Sequence, residues 1–155
     1  MSAPLRPVLG DMNSIICFRA MVIGVENILG SSAFGTLVSA GKLRGRAVVE
    51  SLGASGVGLD RARELLDGAV GLEGTRLCII SDVKVEDGGA KVIVCISESI
   101  CSAGEPKGSS RRLTFTLGAI HGAIEQLSGR SYKSLQVGSV LRGQDYDIVE
   151  LTRKD

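Results

Sequence analysis

The sequence predicts an α+β fold: a four-stranded antiparallel sheet, made of two hairpins, packed with four to five helices. Helical apolar spacing dominates residues 12–70, strand runs with turn residues between them dominate the rest, and one late helix separates the two hairpins. Helices grouped early and strands grouped late mark an α+β domain rather than an alternating α/β one. The 155 residues suit a single domain, 1–155, with a core of its own. The net charge of +1 argues against nucleic acid as the main partner, which calls for a basic excess. Aromatic residues make up only 3% and Trp is missing, so base-stacking platforms are missing too.

Residues 1–10 hold Pro4 and Pro7 and read as a flexible lead-in without the apolar core of a secretory signal. Met12 to Leu29 is helical and apolar on more than one face. Such a helix is buried on most sides, here against its own domain and a second copy. Ile15, Arg19, Val22 and Glu26 are therefore expected at a homodimer interface. Asn13, Arg19, Glu26 and Asn27 interrupt the run, so no integral membrane span is expected. Arg19 and Glu26 either stay solvated or pair across the dimer.

Gly30-Ser31-Ser32 breaks this helix and offers caps for the next. A short helix covers 33–40 and ends at Gly41. Another covers 42–52, with Leu43, Ala47, Val48 and Leu52 on one stripe and Arg46–Glu50 as a solvated i,i+4 pair. GASGVG (53–58) is a connector; it lacks the Lys-Ser/Thr of a phosphate loop. Asp60 to Val70 is a helix, Thr75 to Val85 a strand, Glu86 to Gly89 a hairpin turn and Lys91 to Ser97 the partner strand. Val92 to Ile96 is apolar on both faces, which predicts a central strand covered on both sides. Ser99 to Ser110 is a loop rich in Ser, Gly and Pro.

The late helix spans 113–127. Gly118 and Gly122 fall on one face, and each costs roughly 1 kcal/mol against Ala. Either another backbone approaches there or room is made for a ligand. Ser128 and Gly129 stop the helix, with Gly129 as a left-handed cap. A second hairpin follows, from Tyr132 to Leu141 and from Tyr146 to Leu151 around a polar turn.

Cys17, Cys78 and Cys95 lie in apolar runs and read as small buried hydrophobes, while Cys101 at a loop start is the candidate reactive thiol. No Cys-x-x-Cys pair is present, and a reducing cytoplasmic setting is expected. His121 is the single histidine and reads as a surface or interface residue. No catalytic residue, metal ligand or cofactor motif stands out.

The motifs GAIHGAIEQL (118–127) and LRGQDYDIVEL (141–151), with SAGKLRGRAVVESLG (39–53) and GGAKVIVCISESI (88–100) before them in order, resemble one superfamily. Its members are the prokaryotic 4-vinyl reductase domain proteins and the Bet-type core subunits of the TRAPP tethering complex. The similarity covers about residues 10–152, with a diffuse patch at 54–75. In the TRAPP subunits an acylated cysteine follows the helix that matches 39–53. Here Ser55 to Leu59 holds no thiol, so acylation by that route is not expected. Many 4-vinyl reductase domains carry metal-binding cysteines at positions matching Leu113, Ser139 and Asp147, none of which is Cys here. The resemblance implies a homodimeric module for an apolar small molecule. Its expected walls are 42–52, 91–97 and 113–127, through Leu43, Ala47, Val48, Val94, Leu117, Gly118 and Gly122. An assembly scaffold related to the tethering subunits is the alternative, and an accessory enzyme of tetrapyrrole metabolism a more distant one.

Overall fold

A computed structural model describes residues 4–155. Met1, Ser2 and Ala3 of the expected lead-in lie outside the described residues. Pro4 to Leu9 are exposed, and Arg6 ties this segment down by donating to the Gly10 and Met12 carbonyls at 2.6 and 2.8 Å. The elements are α1 (Ile15–Leu29), α2 (Ala33–Ser51), α3 (Ala62–Val70), β1 (Ile79–Glu86), β2 (Lys91–Ser97), α4 (Phe115–Ser128), β3 (Tyr132–Gly138) and β4 (Asp147–Arg153). The sheet is antiparallel throughout, in the order β1-β2-β4-β3. This is the α+β architecture of two hairpins, with four α-helices.

Two expected helices are one. The expected break at Gly41 is mid-helix: α2 runs from Ala33 to Ser51 and buries Leu37, Gly41, Gly45, Val48 and Val49. The missing side chains at Gly41 and Gly45 admit a neighbouring helix rather than ending their own. Gly129 does end α4, with φ 68 in the left-handed region. The first hairpin turns through Asp87, Gly88 and Gly89, all at positive φ.

β1 starts four residues later than expected, at Ile79. Thr75, Arg76 and Leu77 instead return their backbone N–H groups to the carbonyls of Ala69, Gly71 and Val70, making a tight turn at the end of α3. The core lies between the helices and one sheet face, where Val92, Val94, Ile96, Val149, Leu151 and Tyr132 are fully buried. β2 is central, but the expectation that it is covered on both sides is corrected. Ile93 and Cys95 on its other face are only half-buried, and on β3, beyond β4, Leu135 and Val137 are exposed. Helices pack on one side of this sheet, as antiparallel sheets permit.

By length and composition the helical stretch Ile15–Ser51 is long and apolar enough to cross a membrane, and it is the one such stretch among the described residues. It is not a straight rod. Gly30 at φ 55 breaks it, and α1 folds back so that Val22 packs on Ala33 and Leu37, with Phe18 and Val25 beside them.

Candidate functional site

Two kinds of helix contact shape the site. The first is the α2–α4 seam. Gly41 and Gly45 of α2 face Phe115 and Ala119 of α4, while Gly118 and Gly122 of α4 face Val38 and Lys42 of α2. A Cβ on any of the four would run into a backbone carbonyl of the opposite helix. The seam is therefore backbone on backbone, with no space left over. This decides the two readings of Gly118 and Gly122: close approach, not room for a ligand.

The second contact holds α1 to the rest, and it is sparse. Of its side chains only Val22 is fully buried. Phe18 meets Phe115 edge-to-face with ring centroids 5.1 Å apart, a geometry aromatic quadrupoles favour. A chain of charges fastens the same helix to the loop before α4. Arg19 pairs with Glu105, Glu105 with Arg111 at 3.0 Å, and Arg111 with Glu26. Arg19 and Glu26 thus pair within the chain, neither solvated nor across a dimer as the sequence suggested. Of the other expected interface residues, Val22 is turned inward and Ile15 is half-exposed beside the groove described next.

Below α1 opens a groove of about 700 Å³. That volume is within the roughly 300–1,000 Å³ of small-molecule sites. Met12, Ile15 and Phe18 form one wall, Leu77, Ile100 and Phe115 the other, and Arg44, Arg76 and Asp11 lie at the polar margin. Met12 and Ile15 keep 60% and 47% of their surface exposed, so this wall is apolar area that the fold itself leaves uncovered.

The residues expected to wall a pocket are not brought together here. Val94 and Leu117 are in the filled core, Val48 lies at its edge, and Gly118 and Gly122 are in the seam. Leu43, 70% exposed, and Ala47 point to solvent. The inward stripe of α2 is turned away from Leu43 because two of its positions, Gly41 and Gly45, carry no hydrophobic side chain to reveal it. The groove residues missed by the sequence reading come from five separate segments. One signal was available: the chain has three Phe, and two of them meet here.

A polar cluster lies farther along α4. Glu125 accepts from the Tyr132 N–H at 3.0 Å and from Lys42 at 2.9 Å, and also pairs with Arg46. Arg46 thus turns to Glu125 rather than to Glu50. His121 is buried, not on the surface; its Nε2 stands 3.0 Å from Glu125 and its Nδ1 2.9 Å from Ser134 Oγ. An ionised carboxylate can only accept, so Nε2 donates to it and Nδ1 accepts from the Ser134 hydroxyl. Burial, opposed by the bond to Glu125, holds the His121 pKa below its ordinary value and the ring neutral. Burial alone would push the Glu125 pKa up, but the Tyr132 N–H, Lys42, Arg46 and His121 together bring it down to about 2. The lone pairs of Glu125 are taken by these donors, so the cluster ties α2, α4 and β3 together.

The thiols are reassigned as well. Cys101 is buried against Thr114 and Thr116, so the candidate reactive cysteine is enclosed. Cys17 is the exposed one, and burial pushes the Cys78 thiol up to about 12. Leu113, Ser139 and Asp147 each make hydrogen bonds within the fold. Leu113 N–H donates to Gln136 at 2.8 Å, and Ser139 Oγ accepts from Leu141 N–H at 3.2 Å. Asp147, fully buried, accepts from Ser102 Oγ at 2.6 Å and Val140 N–H at 3.1 Å.

No family model matches the sequence, and no curated protein matches it. Solved structures do match. The phenol-responsive sensory domain of the transcription activator PoxR, solved with phenol, is 14% identical with a TM-score of 0.64, over 92% of this chain and 76% of that one. The trafficking protein particle complex subunit 3 from Naegleria fowleri, covalently bound to palmitic acid, is 12% identical with a TM-score of 0.57, over 92% of this chain and 98% of that one. A vinyl-4-reductase family protein from Methanocaldococcus jannaschii is 14% identical with a TM-score of 0.47, over 94% and 98%. The chain shares the fold of the sensory domain and of the trafficking complex subunit.

Proposed function

We propose that this chain is a non-enzymatic binding module for an apolar small molecule, held in the groove beneath α1, and that it acts as a homodimer in the cytoplasm. The observation that carries this reading is the uncovered apolar wall of Met12, Ile15 and Phe18 facing Leu77, Ile100 and Phe115. A fold shared with a phenol-responsive sensory domain fits it, although a fold does not specify a ligand. Four free cysteines fit a reducing compartment. A ligand burying about 200 Å² of apolar surface gains roughly 5 kcal/mol before the cost of immobilising it. Binding is then no tighter than about 0.2 mM, weak enough to be lost in harsh purification.

A second reading, an assembly subunit, is favoured by the outward face of α1, where Ile16, Met21 and Ile28 are exposed. The same face suits a second copy, so the dimer is common to both readings. Native mass spectrometry on gently purified protein separates them. A dimer with added non-covalent mass is the expected result. A dimer without it transfers the weight to the assembly reading, and a clean monomer overturns both.

A further inference from the structure

We propose that the ligand of the groove is an amphipathic anion, an acyl or aryl compound bearing a carboxylate, whose head group is held by Arg44 and Arg76. This deepens the binding-module reading and rests on it. The lining of the groove holds two guanidinium groups and one carboxylate. Asp11 accepts from the Arg6 backbone N–H at 3.2 Å, and the two guanidinium groups outnumber its single negative charge in the lining. Among the described residues neither Arg44 nor Arg76 has a carboxylate partner.

The contrast with their neighbours is what gives this weight. Lys42 and Arg46 flank Arg44 on the same helix, and both are drawn to Glu125. Arg19 and Arg111, on the other side of α1, are both paired with acidic residues. Unlike these four, the two cations of the groove lining have no carboxylate partner among the described residues.

Arg76 is also held in place. It sits at φ 55, a left-handed conformation that glycine adopts far more readily. Its N–H donates to the Gly71 carbonyl at 3.0 Å and its Nε to the Leu72 carbonyl at 3.3 Å, and the terminal nitrogens remain for a ligand. Guanidinium groups suit a carboxylate because their planar donors match its two oxygens. An apolar tail against Phe18, Phe115, Leu77 and Ile100, with a head at the arginines, satisfies both halves of the groove.

The test uses the full chain, calorimetric titration at pH 8, and two probes of equal length: decanoate, kept below its micelle threshold, and 1-decanol, kept below its solubility limit. The wild type is expected to bind decanoate about tenfold more tightly, the increment of one charge-assisted contact. The double variant Arg44→Gln/Arg76→Gln is expected to lose that preference and keep its affinity for decanol, which also shows that it is folded. Equal affinity of the wild type for the two probes overturns the head-group assignment and leaves the apolar groove standing. A decanoate preference that survives in the double variant overturns it as well, because the anion is then held elsewhere. Binding of neither probe overturns the binding-module reading itself.

Discussion

The α2–α4 seam and the attachment of α1 are both helix-on-helix contacts, yet they are built from opposite materials. The seam has no side chains at its centre, and a methyl group at Gly41, Gly45, Gly118 or Gly122 would meet backbone. On α1 a methyl at Gly24 would meet nothing within 4 Å. The seam has a single arrangement and no void; α1 is held by one aromatic pair, a small apolar cluster around Val22 and a string of charges, and a groove remains beneath it. Interiors are close-packed wherever shape is set by backbone contact. Room for a ligand is found where contact is made instead by long side chains at a few points. In this molecule the rigid half and the receptive half share one residue, Phe115, whose carbonyl faces Gly41 and whose ring faces Phe18.

The largest expected effect breaks the rigid side of this comparison. Gly45→Val places a branched side chain on the Ala119 carbonyl, where only backbone could yield. A loss of about 4 kcal/mol or more is expected, enough to unfold a domain of ordinary stability. Urea denaturation followed by circular dichroism reads it, and a change below about 1 kcal/mol would show that the helices can part.

Next comes the polar tie between the same helices. Glu125→Gln leaves Lys42 and Arg46 without their shared carboxylate. Both cations are partly solvated, at 25% and 44% side-chain exposure, so the loss at pH 7 is about 2 kcal/mol rather than the 3–5 of a fully buried pair. The pH dependence has a definite sign. The folded Glu125 pKa of about 2 is below its ordinary 4.5, so its contribution is complete above 4.5 and disappears as pH falls through 2. The gap between wild type and variant should therefore close across that window. His121 adds a drift of the same sign at higher pH: held neutral when folded, it takes up a proton more readily unfolded, and stability slips below pH 6.5.

The smallest effect on global stability sharpens the comparison from the receptive side. Phe18→Ala removes the aromatic contact of a half-buried ring, at a cost of about 1–2 kcal/mol. Its signature is local. Amide exchange in α1 should accelerate at least about tenfold while α2 and α4 keep their protection, since weakly attached elements open independently. Equal acceleration everywhere would mean that α1 belongs to the same cooperative unit as the seam.

Local pattern carried most of the fold. Alternation and turn residues gave both hairpins, with β2 expected at Lys91–Ser97 and found there. Gly129 was readable as a cap because its role depends only on its own backbone. Gly41 was not, because a glycine that stops a helix and one that admits a neighbour look alike in sequence. The same ambiguity turned the expected inner face of α2 toward Leu43. The groove was less legible still. Its walls come from residues 11–18, 74–77, 100 and 115, and several of these belong to no periodic segment. The partners of Arg19 and Glu26 are more than 80 positions away, at Glu105 and Arg111, beyond the reach of any spacing rule.

The glycine seam also governs how this chain reaches its structure. Gly41 meets Phe115 and Gly45 meets Ala119, so every contact along it joins segments more than 70 positions apart. Closing a loop of that length costs entropy before any contact returns it. The helices gain nothing from glycine in isolation, since each such residue weakens the local coil-to-helix balance by roughly 1 kcal/mol. Neither α2 nor α4 is therefore a good early nucleus, and the hairpin β1–β2, the nearest-neighbour contact in the sheet, is the better candidate to form first. High contact order of this kind slows a domain toward the millisecond-to-second range. Until the seam zips, the apolar stretch of α1 and the first half of α2 stay open to other chains. The feature that makes the folded helix pair unyielding is the same one that leaves the nascent chain exposed longest.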